Sequence, residues 1–237
     1  MQPRLVHAGT AGVLAGLALA GEFAFFAMSG FSPETMNDAS AALAFLKERG
    51  GYLQIAVVFG AFGVAARMIF ISGLAARLAP QTPSRAVATL YFGLIGGIGH
   101  GLVALSFYTG FPMLVSLAAR DQAAAASAWP GFMAVTSGFQ GFGNFLLALM
   151  LLAAGWAIIA RGALPVALGW IAIVCGAVTI AGVFVTGTAF APIGALLFMP
   201  AMILAMAFDI WGGLSLRRYD AENSRSVALN PEMSTST

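Results

Sequence analysis

Long apolar runs alternate with short polar segments along this chain, and the pattern repeats six times. Each run is long enough to cross the hydrocarbon core of a bilayer, which takes about 20 apolar residues in a helix. The six runs cover residues 8–29, 52–76, 86–110, 132–159, 165–187 and 191–214. Abundant Ala and Leu favour helices over a barrel, and helices satisfy every backbone N–H and C=O internally. We therefore expect an all-α polytopic membrane protein built as a bundle of six transmembrane helices.

Composition agrees with a lipid environment. Charged residues make up 8% of the 237 residues and hydrophobic residues 60%, whereas soluble domains carry about 25% charged residues. Residues 1–218 are expected to form one transmembrane domain with no room for a soluble catalytic domain, and the polar tail 219–237 to be disordered. The net charge of +2 and the lack of a basic, aromatic patch argue against nucleic acid as a partner. The lipid bilayer is the expected surrounding.

The first apolar run has two interpretations. Arg4 followed by apolar residues and by Ala18-Leu19-Ala20 resembles a cleavable signal peptide. However, the run continues through Phe26 and Met28, which is too long for the apolar part of a signal. We expect the first span to be retained.

Arginine in the loops predicts the orientation. Seven basic residues fall on one side of the predicted spans, namely Arg4, Arg77, Arg85, Arg161, Arg217, Arg218 and Arg225. Three fall on the other side: Lys47, Arg49 and Arg120. The positive-inside rule then places both termini in the cytoplasm, as an even number of spans requires. The predicted location is the bacterial cytoplasmic (inner) membrane.

The longest loop, residues 30–51, contains a predicted short helix over 38–49 that starts at Asp38 and stops at Gly50-Gly51. Its apolar face, which includes Ala42 and Leu46, would let it lie on the membrane surface. A solvated connector is the equal alternative.

Only four ionisable side chains interrupt the interiors of the spans: Glu22, Arg67, His100 and Asp209. A charge at the bilayer centre costs about 2.5–3.5 kcal/mol, so these residues are the first candidates for function. Each shares a helix face with Gly or Ala, and small residues line the contacts between membrane helices. Gln140 and Asn144 form a similar polar face on the fourth span. We expect all six side chains to point into the bundle.

Depth along the helices suggests how these residues pair. At 1.5 Å per residue, Arg67 and Asp209 fall in the same half of the bilayer, which predicts a buried ion pair. Glu22 and His100 fall at one depth in the other half, which predicts a carboxylate–imidazole hydrogen bond. Asn144 and Gln140 would then link the two layers.

The polar core has a functional and a structural interpretation. Glu22 and His100 could form a proton-linked site, because imidazole exchanges protons near neutral pH, and Arg67 could hold an anionic or carbonyl-bearing ligand. Alternatively, the polar pairs only fix the register of otherwise interchangeable apolar helices.

Catalytic and metal-binding patterns are missing from the sequence. Two His and one Cys, widely separated, do not provide the clustered ligands of a metal site. We find no serine nucleophile turn and no phosphate-binding glycine loop, and Cys175 lies among apolar residues where packing explains it. We expect no cofactor and no enzymatic activity.

Two segments of the second half resemble a known family. One is Arg161-Gly162-Ala163-Leu164-Pro165 leading to Leu168-Gly169-Trp170, and the other is Met199-Pro200 followed by Ile210-Trp211-Gly212-Gly213-Leu214. Both are similar to segments of domain of unknown function 4386, a bacterial family with six spans. In that family the last span often carries Glu about two turns before the Trp, where this chain has Ala205 and Met206. The resemblance implies the topology and brings no activity.

Two functions of different classes remain open. The first is small-molecule or proton-coupled transport or binding through the six polar residues. The second is a non-catalytic accessory or structural subunit that docks a membrane-protein partner through glycine-rich helix faces such as Gly97 and Gly101.

Overall fold

The computed structural model describes residues 5–30, 32–185 and 191–229. The described part of the chain forms seven helices and no strand. The helices are α1 (Leu5–Ser29), α2 (Pro33–Asn37), α3 (Ala39–Leu78), α4 (Pro83–Ala118), α5 (Gln122–Arg161), α6 (Val166–Val185) and α7 (Ala191–Leu229). All of them except the five-residue α2 are long and apolar enough to cross a membrane. The predicted all-α bundle of six spans is confirmed.

Three of the spans extend well beyond the bilayer thickness on the face opposite the chain termini. Helices α3 and α5 have 40 residues each and α4 has 36, so they reach about 55–60 Å, against a hydrocarbon core of about 30 Å. Their extra turns lie on the face opposite the chain termini. There α2, the start of α3, the end of α4 and the start of α5 form a helical projection. These three helices therefore continue beyond the predicted span boundaries at 52, 110 and 132.

The helix predicted in the long loop is correct at its start and wrong at its end. Asp38 caps the N-terminus of α3, and its side chain accepts a hydrogen bond from the Ala41 N–H at 2.8 Å. The predicted stop at Gly50-Gly51 is wrong, because α3 runs through both glycines, each of which costs a helix only about 1 kcal/mol. Ala42 and Leu46 are buried in one cluster with Trp129 of α5. This segment thus packs inside the projection, neither on a membrane surface nor as a solvated connector.

The six long helices form a ring. Each packs against its neighbours in sequence, and α7 returns to pack against α1. The α1–α7 contact is close because glycines face it: a Cβ on Gly16 would lie 2.5 Å from Ile210 Cγ1, and one on Gly12 would lie 2.9 Å from the carbonyl oxygen of Asp209. Small residues at helix contacts were expected, and at these two positions they allow the approach.

Two hydrophobic clusters close the ring at its two ends. Near the termini, Phe70, Leu74 and Phe208 belong to a large cluster contributed by all six long helices. In the projection, Leu53, Phe111 and Trp129 belong to a second cluster. The space between the two clusters is not filled by side chains.

Helix α7 continues past the predicted end of the transmembrane domain. It reaches Leu229, so residues 219–229 of the tail expected to be disordered are helical, and residues 230–237 lie outside the described part. Near this exit, the Arg77 guanidinium lies 3.7 Å from the centroid of the Tyr219 ring, which fixes the end of α3 to the start of the tail.

Candidate functional site

A cavity of about 630 Å³ occupies the centre of the ring, between the two hydrophobic clusters. All six long helices contribute to its wall. Along α3 the lining extends from Leu53 to Arg67, which corresponds to about 21 Å at 1.5 Å per residue. The six predicted polar residues all line this one cavity: Glu22, Arg67, His100, Gln140, Asn144 and Asp209. The expectation that they face the interior of the bundle is confirmed.

The end of the cavity nearest the termini holds the predicted ion pair. Arg67 Nε donates to Asp209 Oδ2 at 2.8 Å, and Nη2 donates to the same oxygen. The side chains are 14% and 3% exposed, so the pair is withdrawn from lipid and from bulk water. Gly12 lets α1 approach the backbone of Asp209 closely, since it has no side chain to meet the Asp209 carbonyl oxygen.

His100 forms a different pair from the one predicted. Its Nε2 lies 2.8 Å from Oδ1 of Asn144, and because an amide oxygen only accepts, the imidazole donates. The predicted Glu22–His100 hydrogen bond is wrong. The physical reason is the close contact of α4 with α5: a Cβ on Gly99 would lie 3.0 Å from the Cα of Gly143. That approach brings the imidazole directly onto the amide one residue further along α5.

Glu22 has no hydrogen-bond donor among the described residues. Its half-buried side chain crosses from α1 to α3 and lies over Gly60, where a Cβ would come within 2.9 Å of Oε1. Gly60 therefore makes the room that the carboxylate occupies. Gln140 also lines the cavity without a side-chain partner in the described part of the chain, and Asn144 pairs there with His100. The predicted link between two polar layers through Gln140 and Asn144 is therefore wrong.

The formal charges of the cavity do not cancel. Arg67 contributes +1, while Asp209 and Glu22 contribute −1 each, so the sum is −1 with His100 neutral. Asp209 is paired with Arg67, and Glu22 is the remaining charge. An unbalanced carboxylate in a water-poor site is costly unless a proton or a cation accompanies it.

Most of the wall is apolar and was not identified from the sequence. Six phenylalanines line it, namely Phe23, Phe26, Phe107, Phe111, Phe198 and Phe208. In an apolar span the sequence does not distinguish a phenylalanine that faces the cavity from one that faces lipid, so it gave only a weak indication of this wall. The wall also includes Cys175, whose thiol donates to the Ala201 carbonyl oxygen at 3.1 Å.

The two glycines named for partner docking differ in their surroundings. Gly97 is buried within the chain, since a Cβ there would lie 2.9 Å from Met68 Cγ. Gly101 faces open space, as do Gly138 and Gly141 of α5, so these three glycines make no close helix contact within the described part of the chain. Gly143 makes the α4–α5 contact instead. Within the described residues, no three His, Cys, Asp or Glu side chains cluster closely enough to hold a metal ion.

The chain matches the model of a known protein family. The model of a domain of unknown function, DUF4386, matches residues 11–211, which include four membrane-spanning helices in full, most of the first and last spans, and all six polar residues of the cavity. No curated protein and no solved structure matches the chain.

Proposed function

Because the chain belongs to the DUF4386 family, whose description assigns no activity, we propose a function from the cavity: the protein binds a small molecule inside the membrane. Binding of this kind is the step on which transport depends. We place the protein in the bacterial cytoplasmic membrane with both termini in the cytoplasm, following the arginine-rich loops on the terminal side. We propose no catalytic step.

The observation that supports binding is the cavity itself. Every ionisable side chain inside the predicted spans lines it, together with two amides. Helix register alone would need only the polar pairs, which form equally well in a closed bundle. A space of this size is far larger than the voids of a close-packed protein interior, few of which exceed a water molecule, so it has room for water or a ligand.

Cysteine labelling tests whether the cavity is accessible to water. In a Cys175→Ala background, Val64→Cys places a thiol on the cavity wall, and Ala65→Cys places one on the exposed outer face of the same helix turn. We expect a hydrophilic maleimide to label Val64→Cys, and not Ala65→Cys, in lipid nanodiscs. Unlabelled thiols at both positions in folded protein would overturn the proposal.

A blocking variant sharpens this test. Ala104 lines the cavity and is buried, so Ala104→Phe should fill part of the space and reduce the labelling rate of Val64→Cys. Its neighbour Leu105 is 59% exposed on the outside of the bundle, and Leu105→Phe is the matched control. Equal rates in the two variants would mean that the label does not enter through the cavity.

A further inference from the structure

The pairing inside the cavity determines which charge is left for a ligand. Both Nε and Nη2 of Arg67 are directed at one oxygen of Asp209, so the charge of this arginine is balanced within the protein. That arrangement argues against the earlier expectation that Arg67 holds an anionic ligand. Glu22 has no such partner and lies on the cavity wall over Gly60. The charge available to a ligand is therefore negative.

We propose that the ligand of this cavity is a hydrophobic organic monocation, such as a protonated amine or a quaternary ammonium or phosphonium ion, whose charge pairs with Glu22. This assignment rests on the proposed binding function and names its substrate class. A single positive charge brings the formal sum of the cavity from −1 to zero. A neutral ligand would leave a proton to balance the carboxylate, and an anion would add a second like charge.

The apolar wall of the same cavity suits the rest of such a ligand. Phe26 lies one helical turn along α1, and Phe107 and Phe111 of α4 stack on one another with centroids 4.7 Å apart. Aromatic faces attract cations and also bury apolar groups, so the same surface serves the charge and the substituents. Two methionines of the wall, Met133 and Met202, add flexible apolar contact that adapts to different shapes.

The size of the cavity also fits. Its volume of about 630 Å³ lies within the range of about 300–1,000 Å³ seen for small-molecule sites. The lining is mostly apolar with a few polar groups, which is the composition typical of pockets for drug-sized ligands. Small hydrated cations would gain little from six phenylalanines, so the wall favours an organic cation over a metal ion or ammonium.

Two ions of nearly equal size and shape test the sign of the charge. Radiolabelled tetraphenylphosphonium and tetraphenylborate are offered separately to the full chain in nanodiscs and measured by equilibrium dialysis against empty nanodiscs. We expect the phosphonium to bind at least 10-fold more tightly than the borate. In Glu22→Gln we expect the phosphonium affinity to fall at least 10-fold, which corresponds to about 1.4 kcal/mol.

Matched variants separate the loss of the pair between Glu22 and the cation from the general effects of unfolding or of removing a negative charge. Glu22 makes no hydrogen bond in the described structure, so Glu22→Gln should fold normally, and its melting temperature is measured alongside. Glu48 is exposed on α3 outside the cavity, so Glu48→Gln removes the same charge and should leave the phosphonium affinity unchanged.

The remaining outcomes distinguish the two proposals. Equal phosphonium binding by Glu22→Gln and the parent, or tighter binding of the borate, would overturn the cation assignment and leave the binding function standing. Binding of neither ion while Val64→Cys is labelled by maleimide would also overturn the cation assignment alone. Binding of neither ion together with no labelling would overturn both.

Discussion

The Arg67–Asp209 pair and Glu22 share one cavity, so removing Arg67 should have a different effect on stability from removing Asp209. Arg67→Leu leaves two carboxylates without a cation and changes the formal cavity charge from −1 to −2. Asp209→Leu leaves Arg67 and Glu22 as the two charges of the cavity, and the formal charge becomes zero. We expect Arg67→Leu to be the more destabilising substitution.

The burial of the pair sets the magnitude. Side chains that are 14% and 3% exposed are buried enough that breaking the pair should cost about 3–5 kcal/mol, most of it the penalty of an uncompensated buried charge. Asp209→Leu should fall near the lower end, because Glu22 partly compensates Arg67, and Arg67→Leu near the upper end. The double variant Arg67→Leu/Asp209→Leu removes both charges, and we expect it within about 1 kcal/mol of the parent.

Unfolding by sodium dodecyl sulfate in mixed micelles, followed by circular dichroism, measures these free energies. Glu48→Gln, on an exposed position of α3, is the control and should stay within about 0.5 kcal/mol of the parent. A double variant that loses the full sum of the two single losses would refute the interaction between the side chains. A smaller loss for Arg67→Leu than for Asp209→Leu would refute the contribution of Glu22.

Two further predictions concern helix contacts. Gly143→Ala should destabilise the protein by about 1–3 kcal/mol, because its Cβ would press on the imidazole of His100 and lie 3.1 Å from the Gly96 carbonyl oxygen. The control is Gly138→Ala on the same helix, whose Cβ would meet nothing within 4 Å. In thermal melts this control should be neutral or slightly stabilising. Trp129→Phe removes the 3.0 Å hydrogen bond from Nε1 to the carbonyl oxygen of α2 and should cost about 1–3 kcal/mol. The acceptor residue, Met36, lines the cavity, so loosening α2 should make the labelling of Val64→Cys faster. An unchanged labelling rate would show that α2 does not control access to the cavity.

The composition of the site was predictable, and its pairing was only partly so. A charged group in an apolar span is costly wherever it faces lipid, so Glu22, Arg67 and Asp209 had to turn inward, and all three line the cavity. Depth correctly paired Arg67 with Asp209, because a long side chain tolerates an error of several ångströms. The same argument failed for Glu22 and His100, since equal depth does not specify which helices are neighbours in the ring.

The six apolar helices follow from the hydrophobicity pattern, because hydrocarbon penalises every unsatisfied peptide group and leaves the helix as the solution. The same penalty on exposed charge makes the polar side chains internal. The packing of the helices is what creates the cavity, carries α3 through Gly50 and Gly51, and pairs His100 with Asn144. Those outcomes depend on how closely two helices approach, and that distance is set by which glycine meets which backbone, such as Gly99 against Gly143. A hydrophobicity pattern records the faces of single helices and carries no information about the distance between them.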